Sequence, residues 1–338
     1  MLAFMTANEA AEKWNISRRR VLTLCQENRI ENAAMLGNMW IIPIDATKPE
    51  DARMSRYIKS EEKIVKPFLK WAGGKGQLLK EIEKFYPFAD SKYTRYAEPF
   101  VGGGAVLFDI LSKYNLKEIY ISDTNAELIN TYKVIRDNVN NLIAMLDKMQ
   151  SEFIPLDGEH RKDYYYIQRA RFNYLKSINT FDIETAALLI FLNHTCFNGL
   201  YRVNKKGQFN VPMGAYKNPM ICDKKNLLAV SDKLQHVQIV CGDYRESANF
   251  IDKHTFVYFD PPYRPLTETS GFTAYTEALF DDEAQKELAD FVNEMDKKGA
   301  KIVVSNSDPK NTNENDTFFD EIYSAHSIRR VEATRMIN

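Results

Sequence analysis

The chain is poor in cysteine, in net charge and in long apolar runs, and each shortage excludes a class of protein. Its 338 residues hold four cysteines, Cys25, Cys196, Cys222 and Cys241. They are scattered without CxxC spacing, which argues against a zinc site or a disulfide framework and for reduced core thiols. No metal is expected. No apolar stretch reaches the roughly 18 residues of a membrane span, and no signal peptide is recognisable, so a soluble cytoplasmic protein is expected. The net charge is −1 with 27% charged residues. The whole chain is therefore no polycation, and any nucleic-acid contact has to come from local basic patches. There is also no internal repeat and no low-complexity tract.

What is present is a strand with an unusual end. Thr255-Phe256-Val257-Tyr258-Phe259 is an apolar run that reads as a buried parallel strand. Asp260-Pro261-Pro262-Tyr263 follows it directly. Two prolines cannot continue a ladder; they fix φ and present carbonyls with no N–H beside them. The result is a rigid loop with one carboxylate, two carbonyls and an aromatic ring. Such a set suits a planar amino-heterocycle, whose NH2 donates twice while its ring stacks.

The first 46 residues read as a unit of their own. Thr6-Ala7-Asn8-Glu9 is a capping box that opens a helix with Ala10, Ala11 and Trp14 inward. Ser17 caps a second helix, residues 18–27, with Val21, Leu22 and Cys25 apolar. Gly37-Asn38 marks a hairpin whose second strand is residues 39–43. Helix, tight turn, basic helix and hairpin predict a winged helix-turn-helix, in which Arg18, Arg19 and Arg20 begin the recognition helix. This part resembles the excisionase or MerR type. Residues 47–64 are polar and charged and read as a linker.

From residue 65 strands and helices alternate. Strands are expected at 93–97, 118–122, 237–241, 256–259 and 301–305, with a weaker one at 321–328. Helices are expected at 105–114, 126–139, about 162–196 and 285–298, and residues 197–226 read as irregular. This pattern implies a doubly wound, mainly parallel α/β sheet with its sites at the carboxyl ends of the strands.

Two glycine turns stand near those ends. Glu98-Pro99-Phe100-Val101-Gly102-Gly103-Gly104 follows the first strand, and Asp123 closes the next one about 20 residues on, where an acid meets ribose hydroxyls in dinucleotide folds. The spacing is not G-x-G-x-x-G, and Glu98 would repel a diphosphate. A nucleoside cofactor with a cationic centre and no phosphate fits better, and S-adenosylmethionine is one. Phe68-Leu69-Lys70-Trp71-Ala72-Gly73-Gly74-Lys75 has the wrong spacing for a phosphate loop. In it, Trp71 offers an apolar wall and Lys75 a cation for a cofactor carboxylate.

These elements, in the order Trp-Ala-Gly-Gly-Lys, Glu-Pro-Phe-Val-Gly-Gly-Gly, Asp-Pro-Pro-Tyr, resemble the Dam-type DNA adenine-N6 methyltransferases that modify GATC. The resemblance spans roughly residues 66–337. It includes Phe197-Asn198-Gly199-Leu200-Tyr201-Arg202 and Gln208-Phe209-Asn210-Val211-Pro212, which look like the target-recognition segment inserted at about 162–235. It implies a Rossmann-like methyltransferase using S-adenosylmethionine on duplex DNA. Trp71, Lys75, Glu98, Phe100, Gly102, Asp123 and Asp260 would then bind the cofactor, with Asp243 and Tyr244 against its adenine. Asp260, Pro261, Pro262 and Tyr263 would hold the flipped base, with N6 bonded to Asp260 and to the Pro262 carbonyl. Lys70, Leu200, Arg202 and Pro212 would read bases, while Phe197 and Asn198 fill the gap left by the flipped base. Lys205, Lys206 and Lys217 would touch phosphate.

The same resemblance implies a monomer, with a restriction endonuclease as an optional functional partner. Cytosine-C5 chemistry would need a proline-cysteine pairing that none of the four cysteines offers. Cytosine-N4 methylation remains the enzymatic alternative, and a non-catalytic DNA-binding regulator the other. In the family a polar loop and a final strand follow the stretch that here ends at Asn338. Without them the strand expected at 321–328 would carry an exposed edge.

Overall fold

The protein is described from a computed structural model that covers residues 4–14, 16–27, 29–30, 32–37, 39–48, 65–71, 75–264 and 280–331. Asn15, Asn38, most of residues 47–64, Ala72-Gly73-Gly74 and residues 265–279 and 332–338 lie outside them. The chain divides into two compact units, Met1–Lys63 and Ile64–Asn338.

The first unit is two short helices on a three-stranded antiparallel sheet. Strands β1 (Phe4–Thr6), β2 (Ala34–Leu36) and β3 (Met39–Pro43) pair in the order β1-β3-β2. The expected hairpin is present; β1 was not foreseen, because three residues carry too little alternation to read. Helix α1 (Ala7–Trp14) starts at the capping box: Thr6 N–H donates to Glu9 Oε2 at 2.6 Å, and Glu9 N–H donates to Thr6 Oγ1 at 3.3 Å. Helix α2 (Arg18–Gln26) is capped by Ser17, whose hydroxyl accepts the Arg20 N–H. Trp14, Val21, Leu24, Cys25 and Ile42 close a small core of their own, with Leu22 only partly buried. Arg18 and Arg19 are exposed and Arg20 is half-buried.

Among the described residues, the second unit is built on a five-stranded, wholly parallel sheet. Its strands are β4 (Arg95–Glu98), β5 (Glu118–Asp123), β6 (Val237–Cys241), β7 (Thr255–Phe259) and β8 (Lys301–Val304), ordered β6-β5-β4-β7-β8. Its helices are α3 (Leu79–Glu83), α4 (Ala105–Lys113), α5 (Ala126–Phe153), α6 (Gly158–Ser177), α7 (Ile183–Thr195), α8 (Lys224–Leu234), α9 (Asp282–Lys297) and α10 (Phe318–Ile322). Every residue of β7 is buried. Phe256 and Tyr258 enter one core cluster, Val257 and Phe259 the other. Both faces are covered, which is why the run is apolar throughout rather than alternating.

Three expectations change. The helix begun at Ala126 does not stop near residue 139; it bends at Asn138 (φ −139°) and runs on to Phe153. The stretch expected as one helix from about 162 is two, α6 and α7, broken at Asn179 in the left-handed region (φ 52°). Most plainly, residues 321–328 form no strand. Glu321 and Ile322 end α10, and turns follow in which Tyr323 N–H donates to the Phe319 carbonyl and His326 N–H to the Tyr323 carbonyl. Phe319 and Tyr323, four apart, stack at 6.4 Å and join the second core cluster. A helical pairing outweighs an alternation with no strand to join among the described residues.

Candidate active site

The carboxyl ends of the parallel strands gather the acids. Glu98 ends β4, Asp123 ends β5, Asp243 follows β6 and Asp260 follows β7. Because β6, β5, β4 and β7 are consecutive in the sheet, these four residues line one edge of it.

At the Asp260 end the contacts are dense. Lys75 Nζ donates to Oδ1 and Oδ2 of Asp260, both at 2.6 Å, and to the Tyr263 hydroxyl at 2.7 Å. It also lies 4.9 Å from the Tyr263 ring centroid. Lys75 is 4% exposed. Burial works against its charge, but Asp260 and Tyr263 outweigh that and raise its pKa, so the ammonium stays protonated. Sequence reasoning offered Lys75 to a cofactor carboxylate; in the structure it meets Asp260 and Tyr263 of the Asp-Pro-Pro-Tyr loop. Asp260 Oδ1 also accepts from Ser305 Oγ at 3.1 Å. The Pro262 carbonyl, assigned to the target amine, already accepts from Gln285 Nε2 at 3.0 Å, whereas the Pro261 carbonyl takes no hydrogen bond among the described residues.

The glycine turn after β4 sits against Trp71. A Cβ on Gly103 would lie 2.8 Å from Trp71 Cβ, so only glycine lets the indole come this close. Asp123 accepts the Gly102 N–H at 3.1 Å and the Asn125 N–H at 2.9 Å. Burial raises its pKa, with those amides opposing. Glu98 is 2% exposed and takes a 2.7 Å bond from the Tyr96 hydroxyl. Its pKa is pushed up to about 8, by burial first and by Asp260 as well, against the Tyr96 bond, the Leu107 amide and Lys75. Phe100 packs on Tyr244 at 5.4 Å. Tyr244 is buried, with its ring also against Phe291, while Asp243 is half-buried and caps the following turn by accepting the Arg245 N–H.

The expected recognition segment is an irregular antiparallel hairpin. Cys196 bridges to Met213 and Val203 to Phe209. Phe197 is exposed, and its N–H donates to the Pro212 carbonyl. Asn198 holds a left-handed backbone (φ 53°). Leu200 is half-buried, and Pro212 and Arg202 are exposed. Arg202 Nε donates to Asn210 Oδ1 at 2.8 Å.

This hairpin is tied to the cofactor-side residues by groups that sequence reasoning passed over. Tyr201 stacks on Trp71 at 5.3 Å. Asn193, 1% exposed, accepts the Lys70 N–H and donates to the carbonyls of Lys70 and Gly199, each at 2.8 Å. Lys70 Nζ lies 4.3 Å from the Tyr216 ring centroid. An amide in the otherwise apolar run Ala186-Ala187-Leu188-Leu189-Ile190-Phe191-Leu192-Asn193 was the signal available for one of these. Lone aromatics in an irregular segment gave none.

An open parallel sheet with its acids at the strand ends, and a proline-stiffened acceptor loop among them, defines an α/β enzyme that binds its ligands along that edge. Comparison with known proteins narrows the class. The chain belongs to the family described as D12 class N6 adenine-specific DNA methyltransferase, which matches residues 71–337. It is 50% identical over 277 residues to the type II methyltransferase M.MjaIII of Methanocaldococcus jannaschii, covering 81% of this chain and 93% of that protein. It is 39% identical over 273 residues to the type II methyltransferase M1.LlaDCHI of Lactococcus lactis subsp. cremoris, covering 80% and 89%. The DNA adenine methylase of Haemophilus influenzae is 36% identical over 274 residues, covering 81% and 88%. No helix among the described residues is long and apolar enough to cross a membrane.

Proposed function

We propose that this chain methylates adenine N6 within GATC in duplex DNA, with S-adenosylmethionine as donor. The observation that carries the proposal is the acceptor loop: Asp260 at the mouth of a fully buried strand, with the Pro261 carbonyl taking no hydrogen bond among the described residues and Tyr263 37% exposed beside it. The donor set fits a cationic nucleoside without phosphate. Acids stand at four strand ends, and the Gly102 amide is already given to Asp123 rather than held for a phosphate. Trp71, Gly102, Asp123 and Phe100 would hold the cofactor, with Glu98 beneath them and the Asp243-Tyr244 turn at the adenine end. When bound, it supplies a methyl group on a positive sulfur.

The protein's own part is to orient the base and its lone pair. Asp260 and the Pro261 carbonyl accept the two amine hydrogens. The sequence-based assignment was to Pro262; Pro261 is preferred here because Gln285 already takes one of the two lone pairs of the Pro262 carbonyl. Two such bonds localise the N6 lone pair out of the ring plane, and positioning with electrostatics does the rest. Lys75 and Ser305 take three of the roughly four acceptor sites of the Asp260 carboxylate, which leaves one on Oδ2 for the amine. Tyr263 would stack on the flipped base.

Lys70, Leu200, Arg202 and Pro212 would read the site, Phe197 and Asn198 would occupy the space the base leaves, and exposed Lys205, Lys206 and Lys217 would meet phosphates. Residues 1–46 would add DNA targeting through Arg18, Arg19 and Arg20. Digestion of treated plasmid with nucleases that differ in tolerance of GATC methylation tests the reading. Protection confined to GATC supports it, and protection elsewhere or nowhere refutes it.

A further inference from the structure

Gln285 is a fully buried amide, 0% exposed, on the first turns of α9. Its Nε2 donates to the Pro262 carbonyl at 3.0 Å, and its Oε1 accepts from Asn306 Nδ2 at 3.1 Å. Asn306 Oδ1 in turn accepts the Ser307 N–H at 2.9 Å. A backbone amide can only donate, so it fixes which end of Asn306 is oxygen. That fixes Gln285, whose nitrogen end must face the proline carbonyl. The relay therefore has one direction, from the segment after β8 to the acceptor loop.

Ser305, one residue earlier, serves the other end of the loop. Its hydroxyl is 3.1 Å from Asp260 Oδ1 and 2.8 Å from the Tyr258 hydroxyl. Its N–H donates to the Phe259 carbonyl at 2.9 Å. Two consecutive residues past β8 thus reach both ends of the Asp260–Tyr263 loop. The loop needs such outside support. Its two prolines have no N–H to give, so it cannot hold itself by a ladder and has to be gripped through carbonyls and side chains.

We propose that Gln285, oriented by Asn306, is a positioning residue for methyl transfer. By gripping the Pro262 carbonyl it fixes the 262–263 peptide plane, and with it the placement of the Pro261 carbonyl and the Tyr263 ring relative to the Asp260 carboxylate. In this role Gln285 acts through Pro262 rather than by contact with substrate or cofactor. The inference rests on the adenine-methyltransferase reading, and its test separates the two.

Gln285→Met keeps the shape and helix propensity of the side chain and removes the donor. It should slow single-turnover methylation of a short duplex roughly ten- to a hundred-fold, the scale of an ångström-sized misplacement. Cofactor affinity by calorimetry should stay at the wild-type value, since the partners of Gln285 are Pro262 and Asn306 and not Trp71, Gly102 or Asp123. Gln285→Glu adds a readout that packing alone would not move. A protonated carboxyl can still donate to the Pro262 carbonyl, whereas a carboxylate repels it. Its rate should fall relative to wild type as pH rises and approach wild type as pH drops. Hydrogen exchange of the peptide spanning residues 258–264 needs no turnover, and it should be faster in Gln285→Met. Should that variant fail to fold, the half-buried Asn306→Ser leaves Gln285 free to rotate and should show the same changes more weakly. Wild-type rate, wild-type pH profile or wild-type exchange in these variants overturns the proposal. An inactive wild type counts against the adenine reading alone, with exchange still deciding the role of Gln285.

Discussion

The ammonium of Lys75 bridges both carboxylate oxygens of Asp260, at 2.6 Å each, across 185 residues of sequence. This contact joins the short 3-10 helix Lys75–Gln77 to the acceptor loop after β7. It also means that the group assigned to the target amine has a partner before any substrate arrives.

Removing that partner should cost stability as well as activity. Lys75→Met leaves a carboxylate largely buried and unpaired, an effect of about 3–5 kcal/mol for pairs of this kind. Lys75→Met with Asp260→Asn removes both charges and should recover much of the loss. Urea unfolding of the three proteins checks this. A single variant as stable as wild type would show the ion pair to be loose.

Glu98 should give the fold a dependence on pH. Its pKa is raised from an ordinary 4.5 to about 8, so the folded state keeps a proton that the unfolded chain has released. Its stabilising contribution is complete below the unfolded value and is lost as pH rises through the folded one. Between about pH 5 and pH 8 wild type should lose stability that Glu98→Gln retains. Thermal unfolding across that window is the check. A constant gap between the two proteins would contradict the buried, protonated carboxyl.

Arg202 should govern sequence choice rather than folding. It is exposed, and its structural partner is Asn210. Arg202→Ala should leave the melting temperature nearly unchanged and reduce discrimination at one base pair by about 1–3 kcal/mol if the contact is bidentate. Rates on cognate and single-mismatch duplexes decide it. Equal loss on every duplex would mark a phosphate contact.

In the N-terminal unit, Arg18, Arg19 and Arg20 should carry any DNA affinity, because the five basic residues within residues 1–46 are balanced by five acidic ones. Replacing all three with alanine should abolish binding of long DNA by the isolated unit, which has its own core. Binding that survives would remove the helix-turn-helix reading.

The parallel sheet and its acids were legible because the signal is local. An apolar run that ends in a carboxylate marks both a buried strand and a strand-end site, as with β5 and Asp123 or β7 and Asp260. The capping box at Thr6 and Glu9 was legible for the same reason. Residues whose meaning depends on distant partners were not: Gln285 needs Pro262 and Asn306, Asn193 needs Lys70 and Gly199, and Tyr201 needs Trp71. Nor did the sequence disclose that the Pro262 carbonyl is engaged by Gln285. The strand expected at 321–328 failed because alternation says nothing about whether a neighbouring strand exists to pair with.

The central claim is that the Asp260–Tyr263 loop directs methyl transfer to adenine N6. Incubation of a GATC duplex with the full chain and S-adenosylmethionine, followed by nucleoside mass spectrometry, tests it most directly. The account predicts N6-methyladenine from wild type and none from Asp260→Ala that still folds by circular dichroism. N4-methylcytosine in its place, or N6-methyladenine formed equally well by Asp260→Ala, would contradict it.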